Sequence, residues 1–461
     1  MLRRSFCLSL PAVALGASAF RPSSLLGASG RRTETGGWIV VPLSGSPSEI
    51  GFQHGAALAK EIDGVLKSLK VLMTHDGAKD WEFFRQAAEK IMWPKVEQEY
   101  RDEIKGIVEG AASQGVKFDV WDAVVLNANQ ELTPYYTEWY DKRRDKKHSA
   151  PEHCSAFVAT GSWTKDGRPV LAHNCWTDYA VGARWNIIFD VRPAGGHRFI
   201  MDGLPGMIHS GDDFGINGAG IMIAETTIGS FHGFDPEGIP ECIRARKAMQ
   251  YASSIDDFAT LMKTGNNGGY ANNWLVADRK NGEIASLELG LKHVTLERTR
   301  DGYFVGSNYP ANAELIHDET DFDPKNPGSS ANARRKRWEA LMAEYKGRID
   351  VDAAKRFMAD HQDTYDKKEF ASERTLCGHN EASPRGMGTW QPPFGPAGAV
   401  QNKVADGKLA EQLSLWAAMG HACGIPFIAA EHLAQHPELA WQKDILIDMK
   451  PGPWTLFSAV D

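Results

Sequence analysis

The chain has 461 residues, with 51 Lys and Arg against 59 Asp and Glu, a formal net charge of −8. That balance argues against nucleic acid as the main partner, because a phosphate-binding face usually carries a basic excess. Charged residues are 24% and hydrophobic residues 42%, which excludes bulk disorder. No uninterrupted apolar run approaches the roughly 20 residues that span a bilayer.

In chain order, residues 1–19 read as an export signal. Arg3 and Arg4 open it, residues 6–15 are mostly apolar but too short to span, and Ala17-Ser18-Ala19 offers small residues for cleavage. Arg3-Arg4-Ser5-Phe6 also fits a twin-arginine route, so a periplasmic or secreted protein is expected. Residues 20–36 are rich in Ser, Gly and Arg, and 38–43 read as a first strand. Apolar positions at helical spacing follow over 54–72 and 81–113, with Pro94 set to kink the second stretch. Residues 118–132 read as a further helix. Residues 140–153 are charged, aperiodic and contain Pro151, as an exposed loop would be.

From Cys154 the pattern turns to strands. Residues 154–163 and 169–176 flank Lys165-Asp166-Gly167-Arg168, a hairpin signal because Asp-Gly supplies the positive-φ turn. Further strands are expected at 185–191, 199–201, 218–227, 273–277, 284–289, 293–298 and 303–307. A helix over 240–252 interrupts them, and another begins at Ser254, which forms a capping-box-like pair with Asp257. Helices return at 331–346, 351–361 and 407–418. Helices, a strand-rich middle and helices again suit a layered α/β sandwich with sheets in the centre.

The chain has six Cys; loss of the signal would remove Cys7 and leave Cys154, Cys175, Cys242, Cys377 and Cys423. An odd count leaves one thiol unpaired in an oxidising compartment. Cys377 with Cys423, and Cys175 with Cys242, are candidate pairs. No Cys pair has the spacing of a zinc or thioredoxin motif, and His421, Cys423 and His432 also lack metal spacing. No metal and no cofactor are therefore expected. Cys154 stands apart, because it joins the charged loop to the hairpin.

His153-Cys154-Ser155-Ala156-Phe157, then Ala172-His173-Asn174-Cys175-Trp176-Thr177-Asp178-Tyr179, resemble the nucleophile strand and its hairpin partner in the phospholipase B-like proteins. That family belongs to the N-terminal-nucleophile hydrolases and is related to the acyltransferase-type cysteine hydrolases. Leu204-Pro205-Gly206, Ser210-Gly211-Asp212-Asp213-Phe214, Ala224-Glu225-Thr226-Thr227-Ile228-Gly229, Gly269-Tyr270-Ala271-Asn272-Asn273-Trp274 with Asp278, and Asn402-Lys403-Val404-Ala405-Asp406 follow in the family's order. The resemblance thus spans residues 154–410.

The resemblance implies an αββα sandwich with mostly antiparallel sheets. It implies self-cleavage of the His153–Cys154 bond into a helical fragment, 20–153, and a catalytic fragment, 154–461, that stay associated. Cys154 would then be both nucleophile and, through its freed α-amine of pKa about 7.7–8.0, general base. Asn272 is the first expected oxyanion donor and Thr226 the second; strand alternation lets only one of Thr226 and Thr227 face the site. His173 would orient the amine or the substrate, and Arg334 would stabilise charge, with Arg335 and Arg337 as rivals. Trp176 and Asn273 would contact substrate. The sequence departs from the family at Ala271, where an Asn is usual, and at Asn273, where Gln is frequent. The implied substrate is a small acyl compound: an ester of a (phospho)lipid, or alternatively an N-acyl amide or small peptide. A secreted binding protein with a structural Cys154 is the reading of a different class.

Overall fold

The first expected strand is present, and it enters a sheet built mostly from residues far downstream. The computed structural model describes residues 32–142, 154–388 and 390–459. Its strands are, in chain order, β1 (Thr33–Thr35), β2 (Trp38–Gly45), β3 (Ser155–Gly161), β4 (Gly167–Asp178), β5 (Ile187–Pro193), β6 (Phe199–Gly203), β7 (Gly215–Asn217), β8 (Ile221–Thr227), β9 (Asn272–Asp278), β10 (Glu283–Leu289), β11 (Val294–Thr299), β12 (Gly302–Gly306), β13 (Gln362–Asp363), β14 (Lys368–Glu369), β15 (Ala397–Asp406), β16 (Ser414–Met419) and β17 (Thr455–Ser458). Among the described residues, sheet A runs β1-β2-β5-β6-β7-β8-β9-β10-β11 and sheet B runs β12-β3-β4-β15-β16-β17. The short β13–β14 ribbon stands by itself. Within the two sheets, pairing is antiparallel except where β2 runs parallel to β5.

Strand alternation sorts the apolar side chains into three cores. Trp38, Ile188 and Leu275 of sheet A meet Val158, Leu171 and Leu415 of sheet B between the sheets. Val41, Phe189 and Val276 turn the other way and pack on helix residues such as Leu66 and Ile104. Phe157, Ala172 and Val404 leave the far face of sheet B toward Trp338 and Phe357. The molecule is therefore helix, sheet, sheet, helix, the layered α/β arrangement expected.

The hairpin forms as read, with Gly167 at φ 78° and β3 antiparallel to β4. Before it, the helix Pro47–Ala57 is capped by a box between Ser46 and Glu49. It meets the helix Gln98–Ser113 backbone to backbone through Gly51, Gly55, Gly106 and Gly110. A Cβ added to Gly55 would lie 2.0 Å from the Ile107 carbonyl oxygen. The 81–113 stretch is broken where a kink was expected. The helix Trp81–Ala87 leads through a π-turn into the 3-10 turn Trp93–Lys95, because Pro94 has no N–H to continue the ladder.

One expected helix is wrong. Of 407–418, only Gly407–Glu411 is helical; Leu413 takes φ 46° and the chain reverses into β16. Leu415 and Ala417 are buried between the sheets, and pairing with β15 overrides their helix preference. Strands β15 and β17 were also not foreseen. The N-terminal region is not purely helical either, since it donates β1 and β2 to sheet A. No described helix is long and apolar enough to cross a membrane. The export signal, most of the charged loop and His153 lie outside the described residues.

Candidate active site

Cys154 stands immediately before β3, with φ 80°, a left-handed backbone unusual for a residue with a Cβ. Alternation places it on the side of Ala156 and Val158, facing the inter-sheet core. His173 and Cys175 share that side on β4, with His173 registered opposite Ala156. Glu225 reaches in from β8 of sheet A. The Cys154 sulfur, a His173 ring nitrogen and a Glu225 carboxylate oxygen lie within 4.8 Å of one another, all buried.

A charged relay stands behind His173. Its Nδ1 is 3.8 Å from Asp212 Oδ2. Asp212 is paired with Lys403 from β15, whose Nζ is also 3.3 Å from Asp202 Oδ2. Ser210 Oγ lies 2.7 Å from Asp212 Oδ1 and 3.0 Å from Asp202 Oδ1, and Gln401 Nε2 donates to Asp202 Oδ2 at 2.7 Å. Burial alone would raise Asp212, but Lys403 and His173 hold it well below the usual carboxylate range. Asp202, buried and crowded by Asp212, is pushed well up.

The same competition sets the thiol. Burial opposes a thiolate at Cys154, yet the Cys175 thiol and the His173 ring together bring it down to about 5. Cys175 is driven the other way by burial and by Cys154. Burial and the Cys154 charge push Glu225 well up, which favours its neutral carboxyl. Its Oε1 accepts from Tyr270 at 2.8 Å, while Oε2 has no protein partner. Cys154, His173 and Asp212 are thus neighbours, but neither His173 ring nitrogen makes a hydrogen bond.

Arg334 approaches from the opposite face of sheet B, on the helix Ser330–Tyr345. Its Nη1 donates to the Cys154 carbonyl at 2.5 Å and to Ser155 Oγ at 3.0 Å; Nη2 donates to Asn308 Oδ1 at 2.7 Å. Its rivals are engaged elsewhere, Arg335 with Glu339 and Arg337 with Asp360. The guanidinium lies 4.2 Å over the Trp176 ring. Trp176 alternates with Cys175 and so faces away from the nucleophile, packed on Met387 and against Gly378. It supports Arg334 from below and does not wall a pocket on the Cys154 side.

Thr226 faces sheet B: a Cβ on Gly306 of β12 would lie 2.5 Å from its Oγ1. Thr227 therefore takes the other face, with Glu225 and Asn272, the residue registered opposite it. Both Asn272 amide atoms and both Thr hydroxyls are buried without protein partners, open donors and acceptors in a place where such groups are normally paired. Asn273 is registered with Thr226, and its Oδ1 accepts from Ser286 at 2.8 Å. The five described cysteines are free thiols, and Cys175 lies against Cys154 with no bond to Cys242. Surface hollows of about 640 and 390 Å³ are lined by residues around Arg32 and around Trp139, not by Cys154. Asp212, Lys403, Glu225 and Cys175 sit inside motifs visible in the sequence. Their only sequence signal was a polar or charged side chain within an otherwise buried strand or its flank.

Two facing, mostly antiparallel sheets lie between helices, with a Cys just ahead of a strand of the second sheet, the αββα layering that the resemblance implied. The phospholipase B profile matches residues 69–325, more than half of the chain, and the chain belongs to that family. An uncharacterized protein of Archaeoglobus fulgidus is 28% identical over 265 residues, 54% of this chain and 42% of that one. A putative phospholipase B-like 1 of Caenorhabditis elegans is 30% identical over 193 residues, 37% of this chain and 34% of that one. The chain thus spans less than half the length of these relatives. Among solved structures, penicillin V acylase from Agrobacterium tumefaciens superposes with a TM-score of 0.34 at 12% identity, over 58% of this chain and 83% of that one.

Proposed function

We propose that the protein is an exported, self-processing acyl hydrolase that works through Cys154. The observation that carries this reading is the buried line Cys154–His173–Asp212, with Asp212 held ionised by Lys403. In the precursor, His173 takes the Cys154 proton and the thiolate attacks the carbonyl carbon of His153. The C–N bond breaks, the leaving nitrogen takes the proton back from His173, and a thioester remains. Water hydrolyses it, leaving the His153 carboxylate and a free Cys154 amine and thiol. The left-handed φ of Cys154 favours this step, because strain of roughly 1 kcal/mol or more can be released when the adjoining peptide is cut. Arg334, bonded to the Cys154 carbonyl, fixes the residue while its neighbour leaves.

In turnover the freed amine takes the thiol proton, and the sulfur attacks the acyl carbon of the substrate. Asn272 and Glu225, which share one face of sheet A with Thr227, are the donors best placed to receive the oxyanion, and Thr226, turned the other way, is not among them. The leaving group departs protonated, and water releases the acid from the thioester. Family membership supports ester bonds of (phospho)lipids as the substrate class; N-acyl amides are the other class this chemistry serves, since the amine can protonate a leaving nitrogen. The test is release of fatty acid from a phospholipid and from an N-acyl amide by the purified protein. The expected result is release from the phospholipid, abolished in Cys154→Ala; release from neither substrate, or equal release by the variant, overturns the reading.

A further inference from the structure

Apart from the Cys154 site, four metal-ligating side chains converge from three separate segments. His361 follows the helix Val351–Met358, Cys377 and His379 flank Gly378 beside the start of β15, and Cys423 lies beyond β16. One ligand atom from each lies within 4.8 Å of all the others. His379 Nε2 is 3.2 Å from His361 Nε2, 3.5 Å from Cys377 Sγ and 3.5 Å from Cys423 Sγ. Tetrahedral zinc, with bonds of about 2.0–2.1 Å to nitrogen and 2.3 Å to sulfur, sets edges of about 3.3–3.4 Å between nitrogens and 3.5–3.6 Å from nitrogen to sulfur. The three edges from His379 lie within about 0.2 Å of these.

Hydrogen bonding alone does not explain the convergence. A ring nitrogen carries one hydrogen or one lone pair, and His379 Nε2 faces three partners. The opposite nitrogen, Nδ1, is 2.8 Å from Glu381 Oε1, which keeps a proton on Nδ1 and leaves Nε2 as the nitrogen that would turn a lone pair to an entering ion once it gives up its proton. Glu381 in turn accepts from Tyr179 at 2.6 Å, and Tyr179 is 2.9 Å from His421 Nε2. A carboxylate behind a ligating His, itself hydrogen-bonded, is the usual outer support of a histidine metal ligand.

We propose that His361, Cys377, His379 and Cys423 bind one Zn²⁺ as a structural site. Two thiols lose their protons as the ion enters, and the half-buried His361 and Cys423 give it a way in from solvent. Four protein ligands leave no open position, so the site clamps and does not catalyse; paired thiolates select zinc over magnesium or calcium. The clamp holds Gly378 against Trp176, the ring under Arg334. The sequence did not show it because the ligands are spread over three segments and only Cys377 and His379 are close in the chain. The proposal stands whether or not Cys154 is a nucleophile.

The test is zinc content and thiol state of the full chain, isolated without chelator and again after reduction and reconstitution with zinc salt. The expected result is about one zinc per chain, no disulfide, and a thiolate-to-metal absorption band on cobalt substitution. Cys423→Ser and His361→Ala should lose the ion, Cys242→Ser should keep it, and the melting temperature should fall on chelation. Glu381→Gln, which leaves all four ligands in place, should weaken zinc binding by about 10–100-fold, a readout that survives if the ligand variants fail to fold. A Cys377–Cys423 disulfide in the isolated protein, no stoichiometric zinc after reconstitution, or unchanged zinc in these variants would overturn it.

Discussion

A thiol shut away from water ordinarily keeps its proton, and Cys154 departs from that because His173 and Cys175 outweigh burial. The pKa is depressed, so the thiolate is present above about 5 and is lost as pH falls through that value. Self-cleavage of freshly refolded precursor, followed on a gel, should keep its rate at neutral pH and decline below about 5. In His173→Ala, which leaves the Cys175 contact and the burial in place, the decline should begin at a higher pH than in the unaltered protein; an unchanged profile would detach His173 from the thiol. Lys403 is the only cation hydrogen-bonded to Asp202 or Asp212 among the described residues. Lys403→Met should therefore cost about 3–5 kcal/mol in urea unfolding, and a loss under about 1 kcal/mol, the scale of a surface pair, would contradict the buried network. At this scale motif order singled out Cys154, His173, Asn272 and Arg334, of which His173 and Arg334 lie beside Cys154 in the structure. It hid the roles of Asp212, Lys403 and Glu225, because a carboxylate's charge state depends on partners that lie 45 to 201 residues away in the chain.

Elements were legible where their signal was local. Asp166-Gly167 named its hairpin, and Ser254 accepts from the Asp257 N–H as the cap implied. They were misread where pairing decides: residues 414–419 carry Leu, Ala and Met, good helix formers, yet become a strand because β15 offers an edge. Pro94 was legible as an interruption but not in degree. The glycine contact between Pro47–Ala57 and Gln98–Ser113 yields a sharp test. In Gly106→Ala the new methyl would lie 2.5 Å from the Ser48 carbonyl oxygen, and overpacking of this kind costs about 1–3 kcal/mol or more. Gly64→Ala, in the next helix and 3.6 Å from its nearest neighbour, the flexible Arg184, should instead gain about 0.5–1 kcal/mol. Thermal unfolding of the two variants should move in opposite directions; equal shifts would deny the close helix approach.

Across the whole molecule, the order of helices, strands and helices was enough to give layers, because each apolar face needs a cover. It did not give strand partners: β2 lies parallel to β5 across a gap of chain that no local pattern bridges. That pairing, with the helix layer on sheet A, supports a permanent association of the fragments before and after Cys154. They should co-elute on native size exclusion and part only in denaturant, and separation in mild buffer would contradict this. The most direct measurement of the central claim is N-terminal sequencing of the purified protein beside its Cys154→Ala variant. A chain beginning Cys154-Ser155-Ala156 in the first and absent from the second is the expected result; one uncut chain in both would contradict it.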